Sequence, residues 1–292
     1  MDDLVVGMGE VLWDVLPDGR KIGGAPANFA YHVSQFGLPG CVVSAVGNDP
    51  LGREIIDYFT SKDLRFLLSE VPYPTGTVQV EIDGAGIPRY EICENVAWDN
   101  IPFTPELEEL ARHTRAVCFG SLAQRSAVSR QTVNRFLDSM PQRPDSLVVF
   151  DINLRQAFYD LETVSNSMKR CNVLKINDEE LETVSLMFGL DEPDVEERCR
   201  RLLADFELSM LILTCGVDGS YVFTPGEVSY QPTPSVEVAD TVGAGDSFTA
   251  AFISGILKGK TVAEAHRLAA LTSAYVCTCH GAMPLLPDDY TA

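Results

Sequence analysis

The sequence predicts an α/β protein: a doubly wound, mostly parallel sheet with a small β-sheet inserted into it. Three observations carry this. Four short runs, apolar but for Lys175, Ala116–Phe119, Leu147–Phe150, Val173–Ile176 and Met210–Leu213, recur between helical stretches over 126–139, 160–171, 178–188 and 194–206. Strands that are apolar on both faces are buried on both faces, as in a parallel sheet held between helices. Polar residues follow three of these runs, in Asp151-Ile-Asn-Leu-Arg155, Asn177-Asp-Glu-Glu180 and Thr214-Cys-Gly-Val-Asp-Gly219. In such sheets ligands sit beyond the carboxyl ends of the strands. Thr75–Ile82 and Arg89–Cys93 instead alternate, as strands with one polar face do.

In chain order, Leu4–Met8 reads as an apolar strand and Val11–Val15 as a second short one after Gly9-Glu10. Gly7-x-Gly9 after a strand invites a dinucleotide-binding reading. It fails, because position 12 is Leu and no glycine-opened helix follows. Gly23-Gly24-Ala25-Pro26-Ala27-Asn28 opens a helix to about Phe36, with Pro26 suited to a first turn and Asn28 lying on it. The paired glycines imply a backbone approached closely. Cys41–Val46 is a buried-type strand and Asp49–Lys62 has helical periodicity. Gly84 and Gly86 join the two alternating stretches as a hairpin, and Glu94–Pro102 reads as a polar loop carrying Trp98-Asp99. After the apolar runs, Ser220–Phe223 and Glu227–Gln231 are strands, Val236–Val238 is extended, and 245–258 and 261–278 are the last helices. Gly259-Lys260-Thr261 resembles the end of a phosphate-binding Walker loop, but position 254 is Ser and the segment joins two helices. Gly259 is read as a helix C-cap. Residues 1–292 form one domain, with the inserted sheet drawn from about 11–20 and 72–101.

With 292 residues the chain can bury a large core. It carries 42 Asp and Glu against 22 Lys and Arg, a formal charge of −20. That balance argues against nucleic-acid and anionic-membrane partners, which want basic clusters. An anionic substrate must be met by local donors and a metal ion, against the overall field. No apolar run is long enough for a bilayer, and Met1-Asp2-Asp3 lacks the basic start of a signal peptide. The eight cysteines include no Cys-x-x-Cys pair, and Cys277-x-Cys279-His280 has no second ligand pair. Buried thiols in a reducing cytoplasm are the expectation.

Asp240-Thr241-Val242-Gly243-Ala244-Gly245-Asp246 carries the chemistry. It is a loop with two glycines feeding an apolar helix. Free N–H groups and the helix dipole at such a start hold an anion. Asp246 sits at that positive end, where a carboxylate tends to stay ionised and can take a proton from an incoming hydroxyl. An anion cradle beside a carboxylate suits phosphoryl transfer to an alcohol. The same seven residues also describe a tight turn with an aspartate cap.

Gly23-Gly24 with Asn28, Asp151-x-Asn153-x-Arg155, Asn177-x-x-Glu180, Thr214-x-Gly216-x-x-Gly219 and Asp240-Thr-x-Gly-Ala-Gly-Asp246 follow in one order along the whole chain. Together they resemble the ribokinase-like (PfkB) sugar kinases. Gly23–Asn28, Glu94–Asp99, and Phe150–Arg155 followed by Tyr159 are similar to bacterial fructokinases. The resemblance implies Asp246 as general base and Gly243, Ala244 and Gly245 as donors to the moving phosphoryl group. Asp14, Gly24 and Asn28 would bind sugar hydroxyls, with Arg155 near the sugar or the phosphate. Asn177 and Glu180 would act on Mg²⁺ and the phosphates of ATP, partly through water, and Lys175 in the same region. Thr214, Gly216 and Gly219 would shape the nucleotide site. Asp240 and the Val242 carbonyl would take a monovalent cation such as K⁺, with carbonyls near Cys277 and Gly281. The inserted sheet would be a lid, through which two subunits could pack as a homodimer. A phosphorylated acceptor would want extra cations near the sugar, and Val11–Asn28 offers only Arg20 and Lys21, with Arg89 elsewhere in the lid.

Overall fold

The computed structural model describes residues 3–16, 19–82 and 88–291, without the side chains of 80–82 and 88–90. The Gly84–Gly86 hairpin turn and the Arg89 side chain lie outside the described residues.

Strand β1 (Leu4–Met8) is followed by β2 (Leu12–Leu16), β3 (Gly19–Gly23), helix α1 (Ala25–Gln35), β4 (Gly40–Gly47), α2 (Pro50–Ser61) and β5 (Arg65–Val71). Then come β6 (Gly76–Ile82), β7 (Pro88–Ile92), α3 (Pro105–Arg112), β8 (Thr114–Phe119), α4 (Ala127–Ser139), β9 (Leu147–Asp151), α5 (Leu161–Arg170), β10 (Val173–Asn177) and α6 (Asp178–Phe188). The chain closes with α7 (Val195–Asp205), β11 (Met210–Thr214), β12 (Ser220–Phe223), β13 (Val228–Gln231), α8 (Ala244–Leu257), α9 (Val262–Cys277) and the short α10 (Asp288–Thr291).

Nine strands form the main sheet in the order β13-β12-β11-β10-β9-β8-β1-β4-β5. All neighbours from β11 to β5 pair in parallel, and β12 and β13 are antiparallel additions at one edge. Alternation along β1 sends Val5 into a core with Phe29, Phe248 and Phe252, and Val6 into one with Phe119, Phe150 and Leu181. Helices therefore cover both faces, with α1, α8 and α9 on one side and α3 to α7 on the other. Each such fully buried side chain contributes on the order of 1.5–3 kcal/mol of transfer free energy.

The chain winds outward from β1 in both directions, to β4 and β5 on one side and to β8 and beyond on the other. The order reverses between β1 and β8, so their carboxyl ends frame a crevice. Four further strands make a second sheet, β3-β2-β6-β7, in which β2 and β6 run parallel and the two outer pairs antiparallel.

Some segments differ from expectation. Residues 19–23 are a strand paired with β2, and Arg65–Val71 is the edge strand beside β4. The Glu94–Pro102 segment folds a helical turn at Ala97–Asn100 that buries Trp98 completely. Val236–Val238 forms no strand, and Val238 is exposed.

Candidate active site

Gly243 takes φ +78 and a side chain there would strike Ala282, so the turn into α8 needs glycine both for its backbone and for its neighbour. Ser247 N–H makes the first intrahelical bond, to the Gly243 carbonyl at 2.9 Å. The N–H groups of Gly245 and Asp246 precede it and are free to meet an anion. Ala244 departs from the expected cradle, since its N–H bonds the Thr241 carbonyl at 3.3 Å. A β-carbon on Gly245 would meet only Lys175, with Nζ at 3.3 Å. The missing side chain thus opens a space floored by an ammonium group.

Lys175 is buried on β10, and its Nζ lies 3.1 Å from Oδ1 of Asp151 on β9. The parallel register sets the two side by side. Burial alone would lower the lysine pKa, but Asp151, then Glu180 and Asp246, outweigh it and hold the ammonium charged. Thr249 on α8 also donates to Asp151, at 3.1 Å.

Asp246 accepts a 2.7 Å hydrogen bond from Nδ2 of Asn28. Asn28 stands on the first turn of α1, where Gly24 at φ +121 brings the chain against the Glu10 carbonyl. Its amide nitrogen is engaged with Asp246, and its Oδ1 has no partner among the described residues. The Asp246 pKa is raised to about 6, by burial first and Asp151 second, against Asn28, Lys175 and Arg155. The carboxyl is therefore less acidic than its place at a helix start suggested, yet mostly ionised at pH 7. Arg155 is exposed and bonds the Leu154 carbonyl, and its charge bears on both Asp246 and Glu10.

Glu10, which the motifs did not select, belongs to this group. It follows β1 at the reversal point and lines one cleft with Phe29, Gly120, Asp151, Asn153 and Asp246. The position after a strand end, which singled out Asp151 and Asn177, applied to it equally.

Asn177 caps α6 by accepting from Glu180 N–H at 2.7 Å, while the buried Glu180 carboxylate accepts from Asn177 N–H and Leu154 N–H, both at 3.0 Å. Burial, first among the causes, raises the Glu180 pKa while Lys175 opposes it. With both oxygens engaged, Glu180 suits a water-bridged contact with a hydrated ion better than direct ligation. Among the described residues no three acidic, His or Cys side chains cluster as a metal site. Thr214 pairs in register with Asn177, so its loop adjoins α6. Gly216 is open on its side-chain face, and Gly219 packs against the Gln231 carbonyl.

Two other expected groups are Asp14 and Asp240. Asp14 on β2 lies opposite Lys21 and fills the space that Gly23 leaves; burial raises its pKa, against Lys21. Asp240 accepts from Val242 N–H at 3.1 Å and Gly281 N–H at 3.2 Å, and Lys21 Nζ lies 3.5 Å from it. Burial works to raise its pKa, but those bonds and Lys21 hold it below the usual range. The Cys277 carbonyl already receives the N–H groups of Ala239 and Asp240. The Asp240 carboxylate in this set is already shared by two backbone N–H groups and a lysine ammonium.

Comparison with known proteins agrees with this architecture. The pfkB family carbohydrate kinase profile matches residues 18–289. An ATP-dependent 6-phosphofructokinase of Thermoanaerobacterium thermosaccharolyticum is 30% identical, over 92% of this chain and 83% of its own. A fructokinase of Klebsiella pneumoniae is 29% identical, over 96% and 95%. The crystal structure of an uncharacterized sugar kinase from Pyrococcus horikoshii in complex with ATP superposes with a TM-score of 0.80 at 27% identity, over 96% of this chain and 94% of that one.

Proposed function

The chain belongs to the pfkB family of carbohydrate kinases, and from that premise we propose that it phosphorylates a neutral sugar with ATP, D-fructose to fructose 6-phosphate first among the candidates. The observation that carries this reading is the meeting of Asp246, Asn28 and Lys175 around the open face of Gly245.

The sugar hydroxyl gives its proton to Asp246, and its oxygen attacks the γ-phosphorus. The bond to the bridging oxygen breaks and ADP leaves with that electron pair. Charge grows on the phosphoryl oxygens at the point faced by the Gly245 and Asp246 N–H groups and the Lys175 ammonium. Donors fixed in place before the reaction need no reorganisation during it. Mg²⁺, when bound to the nucleotide, neutralises its phosphates; Asn177 and Glu180 would hold the water around that ion. Thr214, Gly216 and Gly219 would shape the nucleotide site, and Asp14, Gly24 and Asn28 Oδ1 the sugar site. The second sheet, set beside this cleft through Gly23 and Gly24, would act as the lid that excludes water.

A neutral acceptor is favoured by charge. Arg20 pairs with Glu54 at 2.8 Å and lies over Trp13, and Lys21 faces Asp240. Both basic residues of that stretch are engaged, while the cleft floor carries Glu10, Asp151 and Asp246. A phosphate or carboxylate on the acceptor would meet repulsion there.

An ADP-release screen over hexoses, pentoses, nucleosides, 2-keto-3-deoxygluconate and fructose 6-phosphate tests the reading. Fructose should give the highest kcat/KM. Preference for fructose 6-phosphate or the keto-acid would contradict it.

A further inference from the structure

Glu10 has no part in the steps above, yet it is built into the cleft. It is 4% exposed, and its Oε2 has no hydrogen-bond partner among the described residues. Leaving a buried carboxyl oxygen unpaired is unfavourable. Such an atom at the floor of a cleft is expected to find its partner in a ligand. The cleft it lines also carries Asp151 and Asp246. A hydroxyl can pair with an unpartnered carboxyl oxygen there, whereas a carboxylate or phosphate would meet the like charge of Asp151 and Asp246.

We propose that Glu10 contacts a hydroxyl of the acceptor and selects for an uncharged acceptor at that end. This rests on the sugar-kinase reading and adds a specificity residue to it. The charged and titratable groups facing Glu10 are Asp246 at the start of α8, Asp151 on β9, Arg155 beyond β9 and the buried Cys118 thiol on β8. Burial foremost pushes the Glu10 pKa up to about 7; its own backbone N–H and Arg155 pull down, and Asp246 and Asp151 push further up. Below that value the carboxyl both donates and accepts, as a hydroxyl partner requires. Above it, the group only accepts, and it repels an anionic acceptor more strongly.

The test compares Glu10→Leu and Glu10→Gln with wild type, using the neutral sugar that wild type turns over best. Glu10→Leu should raise the sugar KM about ten- to a hundredfold while the ATP KM stays within about twofold. Its Tm should hold or rise, because an apolar group replaces an unpaired buried carboxyl. Glu10→Gln should stay within about threefold in sugar KM, since it keeps a donor and an acceptor. It should also lose the change in sugar KM that wild type shows between about pH 6 and 8. An unchanged sugar KM in Glu10→Leu overturns the proposal. So does a falling Tm with both KM values moving together, which marks a structural role. A wild type preferring another neutral sugar sinks the fructose reading and leaves this one standing. A wild type using only acceptors that bear carboxylate or phosphate sinks both.

Discussion

The amide nitrogen of Asn28 lies 2.7 Å from Oδ2 of Asp246, across 218 positions of sequence. This one bond ties the early double-glycine turn to the late glycine-rich loop. It also tunes the Asp246 carboxyl, because a donor to the carboxylate favours its charged form.

Asn28→Leu should therefore raise the Asp246 pKa above its value of about 6. The acid limb of kcat/KM should move to higher pH. Asn28→Asp, which sets a like charge beside the base, should move it further. A limb that stays in place in both variants would detach Asn28 from the base.

As the proposed base, Asp246 must be ionised to act. Activity should be full above about pH 7 and fall as pH drops through about 6, the raised value set mainly by burial. A profile flat down to pH 4.5 would mean that the titrating group is not Asp246.

The two glycines of the loop should fail differently. At Gly243, Ala would meet both a positive φ and the Ala282 backbone, so Gly243→Ala should lower stability by about 1–3 kcal/mol. At Gly245 the only neighbour is the tip of Lys175, so Gly245→Val should leave Tm nearly unchanged and lose most of the turnover. Thermal melting beside kcat separates the two. Near-normal turnover in Gly245→Val would remove the cradle.

Lys21 stands 3.5 Å from Asp240. Wild-type activity should respond weakly to exchanging potassium for a large organic cation. Lys21→Ala, which frees that carboxylate, should respond more. Equal responses would mean that the lysine does not occupy a cation position.

The parallel core was legible because the middles of β8 to β11 are apolar and buried on both faces, with Lys175 the one charged residue inside the run. Gly19-Arg-Lys-Ile-Gly23 was not, since it borders the second sheet, shows its first three residues to solvent and carries charge where a core strand would not. Arg65–Val71 escaped for a related reason, being an edge strand paired on one side with its apolar Phe66-Leu67-Leu68 between charged or polar neighbours. Trp98-Asp99 read as a polar loop because its partner is distant in sequence. Arg125 pairs with Asp99 at 2.8 Å and stacks over Trp98, and nothing near position 99 announces it. The glycine-rich loop was visible as a motif, but the depth of Asp246, and with it the upward pull on its pKa, depends on packing that only folding creates and on Asp151.

The central claim is that Asp246 takes the proton from the acceptor while the α8 cradle holds the phosphoryl group. It is tested most directly by kcat of Asp246→Asn with the best sugar, in the ADP-release assay. A fall of roughly 10² to 10⁴ with sugar KM nearly unchanged is predicted for loss of a general base. Turnover close to wild type would contradict the account.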